Sequence, residues 1–75
     1  MFEQLKTILI EEMQIEEDKI TLEAELVNDL GFNSLELAEL VIHCEETFDV
    51  EVDEELAKDF VTVSDVVNYL NDLTA

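Results

Sequence analysis

Ser34, His43, Cys44 and a crowd of carboxylates are the side chains of this 75-residue chain that could do chemistry. A serine, a histidine and an acid make an activated nucleophile only when the base lies within hydrogen-bond reach of the hydroxyl. Ser34 and His43 fall on one expected helix, which sets them roughly 13 to 14 Å apart along its axis, so no triad forms. His43 reads instead as a solvated surface histidine beside Glu39 and Glu46. Cys44 lies on the apolar side of the same helix with no basic neighbour in sequence, and reads as a small, inert core residue. Asp49, Glu51 and Asp53 alternate as in a calcium loop, but Glu54 stands where that loop needs glycine and Phe60 where it needs glutamate. The run is therefore a solvated acidic face that binds divalent cations loosely, with no specific metal site. Ser34 remains, its hydroxyl expected to be exposed at the start of a helix. There the unpaired N–H groups and the positive end of the dipole favour a phosphate attached to that oxygen, although on geometry alone a serine at the first turn is more often just a good helix starter.

The elements that must position these groups are written in periodicity and capping, because the chain has no proline and a single glycine, Gly31. Phe2, Leu5, Ile8, Leu9 and Met13 recur at steps of three and four and predict a first helix over about Phe2 to Gln14, with Glu3, Glu11 and Glu12 on its other side. From Ile15 to Asn33 isolated apolar residues, Ile20, Leu22, Ala24, Leu26 and Leu30, predict a long loop packed over the core. It ends at Gly31, which permits backbone angles other residues avoid. Asn33 with Glu36 three residues later makes a capping-box variant at the head of the second helix. Leu35, Leu37, Ala38, Leu40, Val41, Ile42, Cys44 and Phe48 cover more than half of that helix, predicting a central element touched by several others. Glu36, Glu39, His43 and Glu46 form its outward stripe. A short helical turn is expected around Leu56, Ala57 and Phe60. Thr62 with Asp65 starts a last helix lined by Val63, Val66, Val67, Leu70 and Leu73. No strand competes, since Val50 to Val52 is too short. The predicted fold is all-α: a small four-helix bundle, three longer helices and one short, with a long first loop.

Composition bounds the partners. Three basic residues, all lysine, stand against 21 acidic ones, for a formal net charge of -18. Nucleic-acid binding through phosphate contacts is excluded, docking on an anionic membrane is disfavoured, and a basic protein partner is favoured. With 48% hydrophobic residues the chain can still fold. One cysteine forms no internal disulfide, which points to the cytoplasm. No apolar run approaches a membrane span, and the acidic start is unlike a leader, so the protein is expected to be soluble and unprocessed.

Asp29-Leu30-Gly31-Phe32-Asn33-Ser34-Leu35-Glu36, then Glu39-Leu40-Val41 and Glu45-Glu46-Thr47-Phe48-Asp49, resembles the acyl carrier proteins, whose signature is D-L-G-x-D-S-L with a downstream E-x-x-F. Val50-Glu51-Val52 and the closing Thr62-Val63-Ser64-Asp65-Val66-Val67 are similar too, so that the resemblance covers nearly all of one carrier domain, residues 1–75. It implies a four-helix, non-enzymatic, monomeric carrier. A phosphopantetheinyl transferase would attach 4'-phosphopantetheine from coenzyme A to Ser34, and the arm would hold acyl groups as thioesters for fatty acid synthase enzymes. Glu36, Glu39, Glu45, Glu46 and Glu54 would face the basic docking patches of those enzymes. Leu26, Leu30, Leu40, Val41, Cys44, Ala57 and Phe60 would form a slot for the acyl chain. Asn33 departs from the family's aspartate: it caps as well, but removes a carboxylate beside the modification site.

Three alternatives stand beside a fatty-acid carrier: a carrier for a polyketide or amino-acyl pathway, an acidic divalent-cation buffer, and an interaction protein with an unused Ser34. In all of them self-repulsion among the carboxylates opposes folding. The melting temperature is expected to rise on adding magnesium or moderate sodium chloride, as circular dichroism would register; an unmoved melt would refute this.

Overall fold

A computed structural model describes the backbone of residues 1–74 and, within that range, all side chains except those of Glu54 and Leu56. The described chain is helical. Helix α1 spans Phe2–Glu11, α2 spans Ser34–Phe48, α3 is a four-residue segment over Glu54–Ala57, and α4 spans Val63–Thr74. A single 3-10 turn, Glu17–Lys19, interrupts the connection between α1 and α2.

Helix α1 buries Leu5, Ile8 and Leu9, the face its periodicity marks out, but it ends three residues before the expected Gln14. Its last turn contains no basic residue and runs into Glu11 and Glu12, so negative charge meets the negative end of the dipole. Gln14 then takes a left-handed φ of 58°, and the Ile15 N–H returns to the Leu9 carbonyl at 2.9 Å, which closes the helix. Met13 packs against the core from outside the helix, partly buried.

The segment from Ile15 to Asn33 is irregular yet well anchored. Ile20, Ala24, Leu26, Leu30 and Phe32 are buried, as packing over the core requires, whereas Leu22 is exposed. Asp29 Oδ2 accepts the Glu25 N–H at 2.7 Å, and the Gly31 N–H reaches the Val27 carbonyl at 3.1 Å. Gly31 closes this turn with φ 75°, and an added Cβ would meet nothing within 4 Å; the backbone angle, not space, is what calls for glycine.

The same segment grips the start of α4. The Val63 N–H donates to the Ala24 carbonyl at 2.9 Å and the Ser64 N–H to the Leu22 carbonyl at 3.0 Å, while the Leu26 N–H donates to the Val61 carbonyl at 2.8 Å. Two of the N–H groups that any helix leaves open at its first turn are thereby satisfied by the loop. Thr62 and Asp65 complete the cap: the Thr62 N–H donates to Asp65 Oδ2 at 3.1 Å and the Asp65 N–H to Thr62 Oγ1 at 3.3 Å. Val63, Val66, Val67 and Leu70 are buried, but Leu73 is not, since the last turn of α4 outruns the core.

Helix α2 departs most from expectation. Only Leu40 and Cys44 are buried on it; Leu35 is 67% and Ile42 50% exposed, so its wide apolar arc is not central throughout. Helix α1 packs along one side of α2, and the opposite flank of the arc is left open because a domain this small has no further element to cover it.

Asp65 Oδ2 accepts backbone N–H bonds from Thr62 and Val61, and these hold its carboxyl below the ordinary carboxylate value. A lowered folded-state value adds stability that is complete above the unfolded value of about 3.9 and is lost as pH falls through the folded value. Asp65→Asn, an isostere of the protonated acid, is expected to melt below the parent at pH 7. The gap should close as the pH falls through the lowered folded-state value; a gap independent of pH in a thermal-melt series would contradict this.

Candidate functional site

Ser34 is the first residue of α2, and its direction is set by the residue before it. Asn33 is extended, with φ -98° and ψ -179°; its Oδ1 accepts the Glu36 N–H at 2.8 Å, and its own N–H donates to Glu36 Oε1 at 3.3 Å. Both halves of the capping box expected from the sequence are made. Asparagine supplies the carbonyl oxygen this cap needs, so the missing carboxylate costs the helix nothing. Ser34 is exposed at the open end of the helix, where N–H groups lack intrahelical partners.

Beside Ser34 runs an open groove of about 490 Å³, floored by Leu37, Ala38, Val41 and Ile42 of α2 and closed on the far side by Ala57 and Lys58. Lys58 Nζ lies 3.9 Å from Glu55 Oε1, a contact exposed to water. Deeper, between α2, α4 and the segment that carries α3, is an apolar slot of about 10 Å³. That is space for one water molecule at most, so the slot is closed.

Six of the residues expected in a slot come together there: Leu26, Leu40, Val41, Cys44, Ala57 and Phe60. Leu30 does not. It is buried in the same core as Leu26, Leu40 and Cys44 but lines another part of it, its N–H returning to the Glu25 carbonyl in the turn after Leu26. Val52 and Tyr69 line the slot unforeseen. Phe60 and Tyr69 pack as tilted rings with centroids 5.4 Å apart, and the Tyr69 hydroxyl accepts the Asp53 N–H at 3.0 Å. Tyr69 lies one residue before Leu70 on the apolar side of α4, which is the signal that could have found it.

The carboxylates divide. Glu39 and Glu46 are exposed on α2, and Glu36 is half-buried and engaged in the cap. Glu45 is also half-buried: its Oε2 accepts the Val52 N–H at 3.0 Å and so fastens the chain beyond α2. The side chain of Glu54 lies outside those described. Leu35, Ala38 and Ile42, expected within the packed apolar arc of α2, instead form an exposed apolar stripe. An arc too wide for a small domain to cover was the available sign.

His43 is partly covered, and its partner is not a helix neighbour: Nδ1 lies 3.8 Å from Glu12 Oε2, at the end of α1. At about 100° per residue, nine positions turn His43 to the side of α2 opposite Ser34, so the two remain apart. Among the described residues no group of three or more His, Cys, Asp and Glu is placed to hold a metal ion. Among the described residues no helix is long and apolar enough to cross a membrane.

Burial, with the charge of Glu45 adding to it, pushes the Cys44 thiol up to about 12. At pH 8 almost none of it is thiolate, the form that reacts. Iodoacetamide is expected to alkylate Cys44 at least roughly a hundredfold more slowly than an exposed cysteine, with the rate recovering in denaturing urea. Prompt labelling of the folded chain would contradict this.

The family described as the phosphopantetheine attachment site matches residues 3–70. The acyl carrier protein of Campylobacter lari is 38% identical over 73 residues, covering 97% of this chain and 95% of its own length. That of Clostridium perfringens is 40% identical over 74 residues, covering 99% and 97%. That of Helicobacter acinonychis is 40% identical over 72 residues, covering 96% and 92%. A helix opened by a capped, exposed serine beside an apolar groove is thus found in a chain similar, nearly from end to end, to carriers of known kind. The chain belongs to the acyl carrier protein family, carriers built around a phosphopantetheine attachment site and not enzymes.

Proposed function

We propose that Ser34 is the attachment point of 4'-phosphopantetheine and that the chain presents acyl groups to the enzymes of fatty acid synthesis. One observation carries this: the exposed Ser34 opens α2 directly after the Asn33–Glu36 box, at the head of an apolar groove. The residues fit the group. An exposed hydroxyl is free to form the phosphodiester, the first-turn N–H groups and the helix dipole favour the phosphate, and the groove offers apolar surface alongside. When bound, the arm supplies a thiol on which acyl groups ride as thioesters.

The chain's own residues do the rest. Asn33 fixes where α2 begins and hence where Ser34 points. Glu39 and Glu46, with Glu36 and Glu54 near them in sequence, draw basic partner surfaces towards α2, and the Leu35–Ala38–Ile42 stripe gives those surfaces an apolar footing. Glu45 is the least available of the acidic set, because its carboxylate already holds Val52. The slot lined by Leu40, Val41, Cys44 and Phe60 receives the acyl chain once its walls part. A phosphopantetheinyl transferase, fatty acid synthase enzymes and acyl chains are the partners of this reading. Its setting is the cytoplasm, and its fold a monomeric four-helix carrier domain over residues 1–75 with Glu54–Ala57 as the short helix. Attachment to a mobile arm raises the effective concentration of the cargo at each successive enzyme, while weak contacts permit release.

Incubation with coenzyme A, magnesium and a broad-specificity phosphopantetheinyl transferase is expected to add one phosphopantetheine, mapped to Ser34 by peptide mass and absent from Ser34→Ala. Asn33→Asp, which restores a carboxylate beside the hydroxyl, is expected to be modified faster. No gain of mass, with a competent carrier in the same tube fully modified, would overturn the assignment.

A further inference from the structure

The slot has room for one water at most, so an apolar chain can enter only if a wall moves. Two walls are stiff. Leu40 and Cys44 belong to a 15-residue helix, Val66 and Leu70 to a 12-residue one, and each of these side chains is at most 3% exposed in the core. The third wall, Val52, Ala57 and Phe60, belongs to the segment after α2, whose only helix is four residues long. With a helix of one turn against helices of 15 and 12 residues, it is the wall with the least regular structure to hold it.

Two side chains from the stiff walls hold it, on consecutive amides. Glu45 Oε2 of α2 accepts the Val52 N–H, and the Tyr69 hydroxyl of α4 accepts the Asp53 N–H, each at 3.0 Å. Tyr69 is unlike Glu45 in one respect: it also lines the slot, with its ring against Phe60. A chain pressing between those rings displaces the hydroxyl that holds Asp53. Asp53 is exposed, so its freed N–H passes to water.

We propose that Tyr69 is a positioning residue that latches the movable wall of the slot through the Asp53 amide, and so sets how readily an acyl chain is taken in. The latch couples the two states: an empty slot keeps Asp53 bonded, and an occupied one releases it. The inference rests on the carrier reading of Ser34 for its cargo, though the latch itself exists without modification.

The test uses Tyr69→Phe, which keeps the ring and removes only the hydroxyl, with a thermal melt to establish folding and Glu45→Ala as a second variant that frees the neighbouring amide. In the unmodified chain, hydrogen exchange at the Asp53 amide should rise several-fold in Tyr69→Phe while the amides of α2 and α4 exchange as in the parent. Chains loaded at Ser34 with an eight-carbon or a two-carbon acyl group are then exposed to hydroxylamine. Loss of one hydrogen bond should favour uptake about two- to tenfold, so the eight-carbon thioester should be cleaved more slowly by that factor and the two-carbon one unchanged. Unaltered exchange at Asp53, equal responses of the two cargoes, or faster cleavage of the longer one would each overturn the latch. Failure of either chain to load would instead count against the assignment of Ser34, and the exchange measurement on the unmodified chain would still decide the latch.

Discussion

Three backbone hydrogen bonds between the long loop and the head of α4 underlie most of this molecule. Leu22 and Ala24 accept the N–H groups of Ser64 and Val63, and Leu26 donates to Val61. They solve two problems at once, because an irregular segment and a helix terminus each carry backbone groups that need partners. Once the loop is bonded there, Ala24, Leu26, Leu30 and Phe32 lie over the core, and the turn closed by Gly31 delivers the chain to Asn33. The place where α2 begins, and with it Ser34, is thus fixed from the opposite end of the sequence.

Helix α2 works on three sides. One packs on α1, where Glu12 meets His43; one lines the slot; and one faces solvent with carboxylates and the stripe of Leu35, Ala38 and Ile42. The segment after it carries only a four-residue helix and is tied by Glu45 and Tyr69 to helices before and behind. On the proposed carrier reading, the long helices hold the serine in place and this shorter-helixed segment lies beside the space an acyl chain would enter.

Much of this was legible in the sequence, where information is local. The pairs Asn33–Glu36 and Thr62–Asp65 are three residues apart, and both make the bonds their spacing suggests. Gly31 stands where a left-handed angle is needed, and the apolar faces of α1 and α4 follow their periodicity. What periodicity cannot express is which apolar residues find something to pack against. Ile42 and Leu73 have the pattern of core residues and lack a covering element. The end of α1, the bond from Glu45 to Val52 and the bond from Asp53 to Tyr69 depend on where the chain returns in space. For the same reason Leu30 packs in the core away from the slot, while Tyr69, unremarkable in sequence, lies at the slot's wall.

The exposed stripe on α2 also bears on how copies of the chain treat one another. An apolar strip left open to water ordinarily invites self-association. Here each copy carries a net charge of -18, and the strip is flanked by Glu39 and Glu46, so two copies repel before their strips can meet. On the proposed carrier reading, the acidity that draws a basic partner in also keeps the sticky surface vacant for it. Solubility and specificity, in this chain, are one electrostatic property seen at two distances.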